Sequence, residues 1–177
     1  EEVDAVYVAS PHGTHVAYAH EAIAAGKHVL CEKPLALTRA EAKGLFAAAQ
    51  ENRVVLLEAI KTAFSPGFQR MVAVARSGSI GKVRSVDATF TKLVAAGREL
   101  EAPEGGSISE LASYPLLAVV KLLGTHHSGI TTSSLQGPED EVETFSRIDV
   151  AFPHGIASAR VGLGVKAEGD LVVAGTK

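Results

Sequence analysis

Residues 3–34 read VDAVYVASPHGTHVAYAHEAIAAGKHVLCEKP, and this stretch decides how the first part of the chain folds. It holds two short apolar runs, Val6–Ala9 and His28–Cys31, of which the first has the pattern of a parallel strand buried on both faces. Between the runs, apolar residues recur at helical spacing, and they are Val16, Ala19 and Ile23. The stretch therefore predicts a strand, a helix and a second strand.

The following residues continue this alternation. Thr14 is expected to cap the first helix, and Gly26 to end it in the left-handed conformation. Thr38 and Glu41 have the spacing of a capping box for a second helix, and a third apolar run covers 54–57. Strands that alternate with helices across short turns predict a parallel sheet with right-handed crossovers.

The pattern changes near residue 60. Ser65 and Pro66 are a typical start for a helix that ends near Gly78. Further strands are predicted over 81–92, 142–152, 156–166 and 170–174, with a loop over 93–106 and a helix over most of 111–123. The last three strands are separated by tight turns and are expected to be antiparallel. We therefore predict an α/β piece over 1–60 with a parallel sheet, and an α+β domain over 61–177 with a largely antiparallel open sheet.

Composition narrows the class of protein. The chain has 177 residues, of which 46% are hydrophobic and 21% charged, with a formal net charge of −3. Such a balance argues against disorder and against a broad nucleic-acid surface, and the apolar runs are too short for a membrane span. One cysteine and an acidic start give no sign of an oxidising compartment or of a signal peptide. A cytoplasmic protein without nucleic-acid or membrane partners is expected.

The loop after the first strand is the first candidate site. Ser10, Pro11, His12 and His15 lie where a parallel strand meets the helix that follows it, and ligands of open parallel sheets bind at such strand ends. A polar turn that only caps a helix is the alternative. A zinc site at His12 and His15 has little support, because no further ligands cluster nearby, and no metal is predicted.

The turn after the second strand is the second candidate. Glu32, Lys33 and Pro34 follow Cys31, and the proline keeps Lys33 extended at the carboxyl end of the strand. A lysine there can donate a hydrogen bond to a reacting oxygen, although a surface lysine on an ordinary turn fits as well. We expect this turn to lie beside the first loop and the Lys33–Pro34 bond to be cis.

The third candidate is Glu110 with Tyr114. Four residues apart, they would share one face of a helix, and a carboxylate beside a phenol can serve acid/base chemistry. Two structural alternatives stay open. Ser107 and Glu110 also fit a capping box, and Pro115 requires the helix either to kink or to restart near Ser113.

Taken together, these stretches resemble the Gfo/Idh/MocA family of NAD(P)-dependent oxidoreductases. The similar segments are 3–15, 25–38 with its Gly-Lys-His-Val-Leu-Cys-Glu-Lys-Pro run, 79–84, 105–115 and 122–124. The resemblance implies a Rossmann dinucleotide-binding domain, of which 1–60 would be the carboxyl-terminal part, followed by a substrate-binding and dimerisation domain over 61–177. It is strongest to the dihydrodiol dehydrogenase and glucose-fructose oxidoreductase branch.

The resemblance also implies roles for the candidate residues. Lys33 would lie beside the nicotinamide and the substrate, and Tyr114 would act as the acid/base. Glu110 would orient Lys33 and Tyr114, and Tyr114 would face the two loops. The residues that the resemblance implies for binding NAD or NADP are Ser10, Pro11, His12, His15, Glu32, Lys33 and Pro34. Many members carry aspartate and histidine where this chain has Glu110 and Tyr114. The implied reaction moves a hydride between the cofactor and a small polyol, sugar, or cyclic alcohol or carbonyl.

The family begins with a strand, a Gly-x-Gly-x-x-Gly turn and a helix, which these residues do not contain. We therefore expect a chain cut at both ends that binds dinucleotide poorly by itself. A non-catalytic dimerising or regulatory module is the alternative function. A homodimer is expected through the open sheet, whose free face would carry apolar side chains such as those alternating over 156–165.

Overall fold

The computed structural model describes residues 3–137 and 142–177. The chain folds into two compact units, Glu1–Ile60 and Lys61–Lys177. The first contains a three-stranded sheet and the second a five-stranded sheet, both with helices. The predicted fold class, a parallel α/β piece followed by an α+β piece, is confirmed.

The first unit alternates strands and helices as its sequence predicts. Its elements are β1 Ala5–Val8, α1 His15–Ala24, β2 His28–Cys31, α2 Arg39–Glu51 and β3 Leu56–Glu58. All strands are parallel, in the order β1-β2-β3. Gly26 has φ +71° after α1, and the capping box between Thr38 and Glu41 is formed at the start of α2. Both features agree with the prediction, because each depends on residues within one turn of chain.

Only one face of this sheet is covered by α1 and α2. Val8, Val29 and Leu56 pack there with Ile23 and Leu45 of the helices. The strand residues next to these in sequence point to the other face and are exposed: Tyr7, Leu30 and Leu57. The predicted burial of β1 on both faces is therefore wrong for the described chain, because side chains of a strand alternate between faces and the two helices cover one of them.

The second unit builds a mixed sheet. Its elements are α3 Pro66–Arg76, β4 Val83–Lys92, α4 Ser107–Leu111, α5 Ser113–Leu123, β5 Gly129–Gln136, β6 Glu143–Phe152, β7 Gly155–Leu163 and β8 Asp170–Gly175. The strand order is β5-β6-β7-β4-β8, so all four predicted strands lie in one sheet. Ser65 accepts a hydrogen bond from the Phe68 amide and caps α3. In the described residues, no helix is long and apolar enough to cross a membrane.

Two details of this sheet differ from the prediction. β5 was not predicted, because its sequence GITTSSLQ is mostly polar and the strand is exposed along its length. β6 and β7 form the expected antiparallel hairpin, but β8 pairs antiparallel with β4, and β4 lies parallel to β7. Strand order depends on pairing over long sequence separations, which alternation of apolar residues does not encode.

The face of this sheet turned away from its core is polar at its centre. Along β7, Ala157, Ala159, Val161 and Leu163 are buried in the core. Ser158 and Arg160 alternate with them, and Ile156 is exposed. The predicted apolar character of the free face is therefore found at Ile156 but not at positions 158 and 160, because Ala157, Ala159, Val161 and Leu163 point to the core.

The segment from Gly105 to Leu123 forms two helices rather than one. Pro115 lies in the first turn of α5, where its missing N–H costs no helical hydrogen bond, so the helix restarts at Ser113. The predicted capping box of Ser107 and Glu110 is not formed. Instead, Ser107 donates to Ser146 at 3.0 Å, and the Ile108 amide donates to the Glu143 carboxylate at 2.9 Å. A carboxylate from β6 thus caps α4.

Gly106 precedes α4 with φ +111°, and a Cβ there would lie 2.6 Å from the nearer Glu143 oxygen. We predict that Gly106→Ala lowers the free energy of unfolding by about 1–3 kcal/mol, because the side chain strains the backbone and displaces the Glu143 cap. Chemical denaturation measures the change. The control is Gly44→Ala inside α2, where a Cβ meets nothing within 4 Å. It should be neutral or stabilising, and equal losses in both variants would contradict this assignment.

Candidate active site

Two loops of the first unit meet at one edge of its sheet. Val8 and Cys31 are register partners in the parallel pair of β1 and β2, so the segments that follow them leave the sheet side by side. The Glu32 amide donates to the Val8 carbonyl at 2.8 Å. The adjacency expected from the parallel pairing is therefore present, and it groups Ser10–His15 with Glu32–Pro34.

The first loop is closed by its own side chains. Residues 12–14 form a short 3-10 turn, and the hydroxyl of Thr14 lies 2.6 Å from Ser10 Oγ and 2.7 Å from the Pro11 carbonyl. Thr14 therefore does not cap α1 as predicted, since its hydroxyl is directed back into the loop. Ser10 is half-buried, Pro11 is exposed and His12 is buried.

His15 connects the two loops. Its side chain is completely buried, with Nε2 2.9 Å from the Ser10 carbonyl oxygen and Nδ1 2.8 Å from the Pro34 carbonyl oxygen. The ring of His12 stands edge-on to that of His15, with centroids 5.5 Å apart. The first turn of α1 is thereby tied to the turn after β2.

The second loop is held by carboxylates. The Tyr7 hydroxyl donates to Glu32 Oε1 at 2.5 Å, and the Lys33 amide donates to the other oxygen of Glu32 at 3.3 Å. The Leu35 amide donates to Glu58 at 3.0 Å. The Lys33–Pro34 bond is cis, as expected. These bonds fix the backbone on both sides of Lys33, whose side chain is half-buried.

Tyr7 and Glu58 were not among the predicted site residues. Glu58 ends β3, and the rule that selected the first two loops, the carboxyl end of a parallel strand, also applies to it. Tyr7 lies within β1, and no local signal connects it with a carboxylate 25 residues away. Cys31 is buried, and burial and the neighbouring carboxylates Glu58 and Glu32 raise the pKa of its thiol to about 11. It is a core residue rather than a nucleophile at neutral pH.

The second unit holds the other candidates. Glu110 is buried in α4, and Tyr114 is half-buried at the start of α5 with its ring 4.9 Å from that of Phe90. The sequence predicts that Glu110 and Tyr114 share one face of a single helix. The structure places them in two separate helices, α4 and α5, so this prediction is wrong. Tyr114 lines a cavity of about 200 Å³ within this unit, together with Thr62, Phe68, Phe90 and Asp170. The cavity offers one phenol, one carboxylate and aromatic walls.

The two loops of the first unit also lie in a segment that matches a known family. Residues 1–60 match the family model described as "Oxidoreductase family, NAD-binding Rossmann fold". That model is the one of the Gfo/Idh/MocA family, which the first unit therefore resembles as expected. The Glu32–Pro34 turn and the Ser10–His15 loop both lie inside the segment that this NAD-binding model matches.

Individual relatives extend the similarity into the second unit. The dTDP-3,4-didehydro-2,6-dideoxy-alpha-D-glucose 3-reductase of Actinomadura kijaniata is 36% identical over 127 residues, which are 70% of this chain and 38% of that protein. The trans-1,2-dihydrobenzene-1,2-diol dehydrogenase of Sus scrofa is 29% identical over 178 residues, covering 99% of this chain and 53% of that protein. The chain thus spans about half or less of the length of these relatives.

A solved structure shows the same fold. The aldose-aldose oxidoreductase from Caulobacter crescentus, complexed with glycerol, superposes with a TM-score of 0.91 at 26% identity. The superposition covers 98% of this chain and 54% of that one. The likeness includes both sheets described above.

The contact between Tyr7 and Glu32 can be tested by titration. The hydrogen bond to the Glu32 carboxylate and the charge of that group raise the pKa of Tyr7 above its ordinary value. We predict that Glu32→Gln lowers the pKa of Tyr7, because the phenolate no longer forms beside a negative charge. The measurement is the pH dependence of the Tyr7 ring signals in NMR spectra, with Glu51→Gln at the exposed end of α2 as control. An unchanged titration in Glu32→Gln would show that the two side chains do not interact.

Proposed function

We propose that this protein is an NAD(P)-dependent oxidoreductase that moves a hydride between the cofactor and a small polyol, sugar, or cyclic alcohol or carbonyl. The observation that carries the proposal is the Glu32-Lys33-Pro34 turn, held at the carboxyl edge of a parallel sheet in a chain that matches the family model. The relatives named above act on sugars and on a cyclic diol, which supports the substrate class.

The groups at this sheet edge fit part of a nicotinamide nucleotide. Since Thr14 does not cap α1, the first amides of that helix are not taken by its side chain. The Ser10 hydroxyl and the Lys33 ammonium add polar donors beside them, and hydroxyls and amides at helix starts suit the ribose and phosphate edges of nucleotides. When bound, the nicotinamide ring supplies or accepts the hydride.

In the proposed mechanism, the side chains of this chain handle the substrate oxygen. The Tyr114 hydroxyl gives a proton to that oxygen in the reduction, and the Tyr114 phenolate takes one from it in the oxidation. The Lys33 ammonium donates a hydrogen bond to the same oxygen. Glu110, buried in α4, orients the pair. Phe90 and the cavity beside Tyr114 hold the carbon skeleton of the substrate. Orientation contributes as much as proton transfer, because the reacting atoms must meet at close range.

We predict that Lys33→Met lowers kcat/KM of the full-length protein by about 10²–10⁴-fold, because the substrate oxygen loses its charged donor. Tyr114→Phe should cause a loss of the same order. Reduction and oxidation of polyols, sugars and cyclic alcohols with NAD and with NADP provide the assay. The matched control is Lys43→Met on the exposed side of α2, which should retain full activity. Unchanged kcat/KM in Lys33→Met would exclude this mechanism.

We also propose that the polar face of the five-stranded sheet binds a second copy of the chain. Arg147 of β6 and Arg160 of β7 are register partners, and the neighbouring row places Asp149 and Asp87 on either side of Ser158. Arg147 also contacts Asp149 at 3.0 Å. Like charges opposite each other destabilise a sheet. A second copy related by a two-fold axis can offset this, because the arginine row of one copy would meet the aspartate row of the other.

Light scattering at micromolar concentration should give the mass of a dimer. Arg160→Glu should weaken the dimer more than about tenfold, because the reversed charge repels the partner's carboxylates in both halves of a symmetric interface. Arg70→Glu, on the exposed side of α3, should leave the mass unchanged. A monomer in the unaltered protein would contradict the proposed interface.

A further inference from the structure

Both ring nitrogens of His15 lie at hydrogen-bond distance from backbone carbonyl oxygens, one from each site loop. The atoms opposite them are Ser10 O at 2.9 Å and Pro34 O at 2.8 Å. A carbonyl oxygen only accepts, so the ring nitrogen that bonds to it donates. A neutral imidazole carries one N–H, so the tautomer decides which loop accepts the hydrogen bond, while the other carbonyl oxygen packs against the same ring.

We infer that His15 is a positioning residue that joins the two site loops, because its buried ring contacts a backbone carbonyl of each. The ring is completely buried, so it acts through the loops rather than by touching a ligand. Its neighbour His12 stands edge-on at 5.5 Å.

The contacts of His15 also bear on the position of Lys33. Pro34 directly follows Lys33, and Ser10 begins the loop after β1, so the ring spans the two segments that end the two strands. Tyr7 and Glu58 hold the same turn from its other side through Glu32 and the Leu35 amide. With His15 removed, the turn keeps its carboxylate contacts but loses its only described link to the Ser10 carbonyl. The effect on Lys33 rests on the proposed function, whereas the link between the loops does not.

The hydrogen bond of the ring can be observed without any substrate. In full-length protein labelled with ¹⁵N-histidine, long-range ¹H–¹⁵N spectra should show a ring proton of His15 in slow exchange with solvent, because the buried N–H is bonded to a loop carbonyl. The signal is assigned by its loss in His15→Gln. A ring proton that exchanges as fast as that of an exposed histidine would overturn the inference.

Hydrogen exchange tests the link between the loops. His15→Phe keeps a planar ring without donors, and it should speed amide exchange in 10–15 and 32–35 while leaving α2 protected. The matched control is His20→Phe, on the exposed side of the same helix, which should change neither loop. Exchange that stays unchanged in His15→Phe, or that rises throughout the unit, would overturn the link. Should His15→Phe fail to fold, His15→Gln provides the same comparison.

Kinetics then test the consequence for catalysis. In His15→Phe, kcat should fall by about 10²-fold with little change in the KM for the substrate, because a displaced Lys33 costs orientation rather than binding. His15→Gln, with one donor group left, should recover part of the loss. Faster loop exchange with unchanged kcat would overturn the positioning role. An inactive wild-type protein would instead count against the proposed function, and the spectra and exchange rates would still decide whether His15 joins the loops.

Discussion

The parallel pairing of β1 with β2 is the constraint on which the site of the first unit depends. In a parallel pair both strands run in the same direction, so their carboxyl ends must meet at one edge of the sheet. Val8 and Cys31 are partners in this register, and the loops that follow them have no alternative to lying together. The hydrogen bond from Tyr7 to Glu32 and the two contacts of His15 use this proximity. A change of register would separate all of them at once.

Carboxylates that reach backbone amides recur wherever a site residue must be held. Glu32 accepts from the Lys33 amide, Glu58 from the Leu35 amide, and Glu143 from the Ile108 amide at the start of α4. Hydrogen bonds to an ionised acceptor are stronger than those between neutral groups. Lys33 lies in a turn and Glu110 in a helix of five residues, so both segments lack the repeated backbone bonds that hold a long helix. At Leu35 and Ile108, a charged acceptor from another element, Glu58 of β3 or Glu143 of β6, adds the missing support.

The two sheets have contrasting free faces. The side of the three-stranded sheet away from α1 and α2 exposes Tyr7, Leu30 and Leu57, whereas the five-stranded sheet exposes Arg160 and Arg147 at its centre. Both patterns follow from the same alternation of side chains along a strand. In the first unit, apolar residues occupy both positions of the alternation. In β7 from Ala157 onward, the apolar positions belong to the core, and Ser158 and Arg160 lie at the surface.

The sequence by itself determined the elements whose signals are local. The strands and helices of the first unit, the cap at Thr38 and the left-handed Gly26 each depend on residues a few positions apart, and the same is true of the start of α3 at Ser65. The loops at the strand ends could also be predicted as a candidate site, because parallel pairing fixes the edge of the sheet at which they lie. The restart of the helix at Ser113 was one of two options that Pro115 left open.

Only the tertiary structure decided the contacts between distant residues. Thr14 could cap α1 as far as its own sequence is concerned, but its hydroxyl turns to Ser10 and Pro11. Ser107 and Glu110 have the spacing of a capping box, yet Glu143, 35 residues beyond Ile108, takes the place of the cap. β8 pairs with β4 rather than with β7 beside it in sequence. In each case two partners compete for one group, and the energy that decides between them comes from packing that a local pattern does not contain.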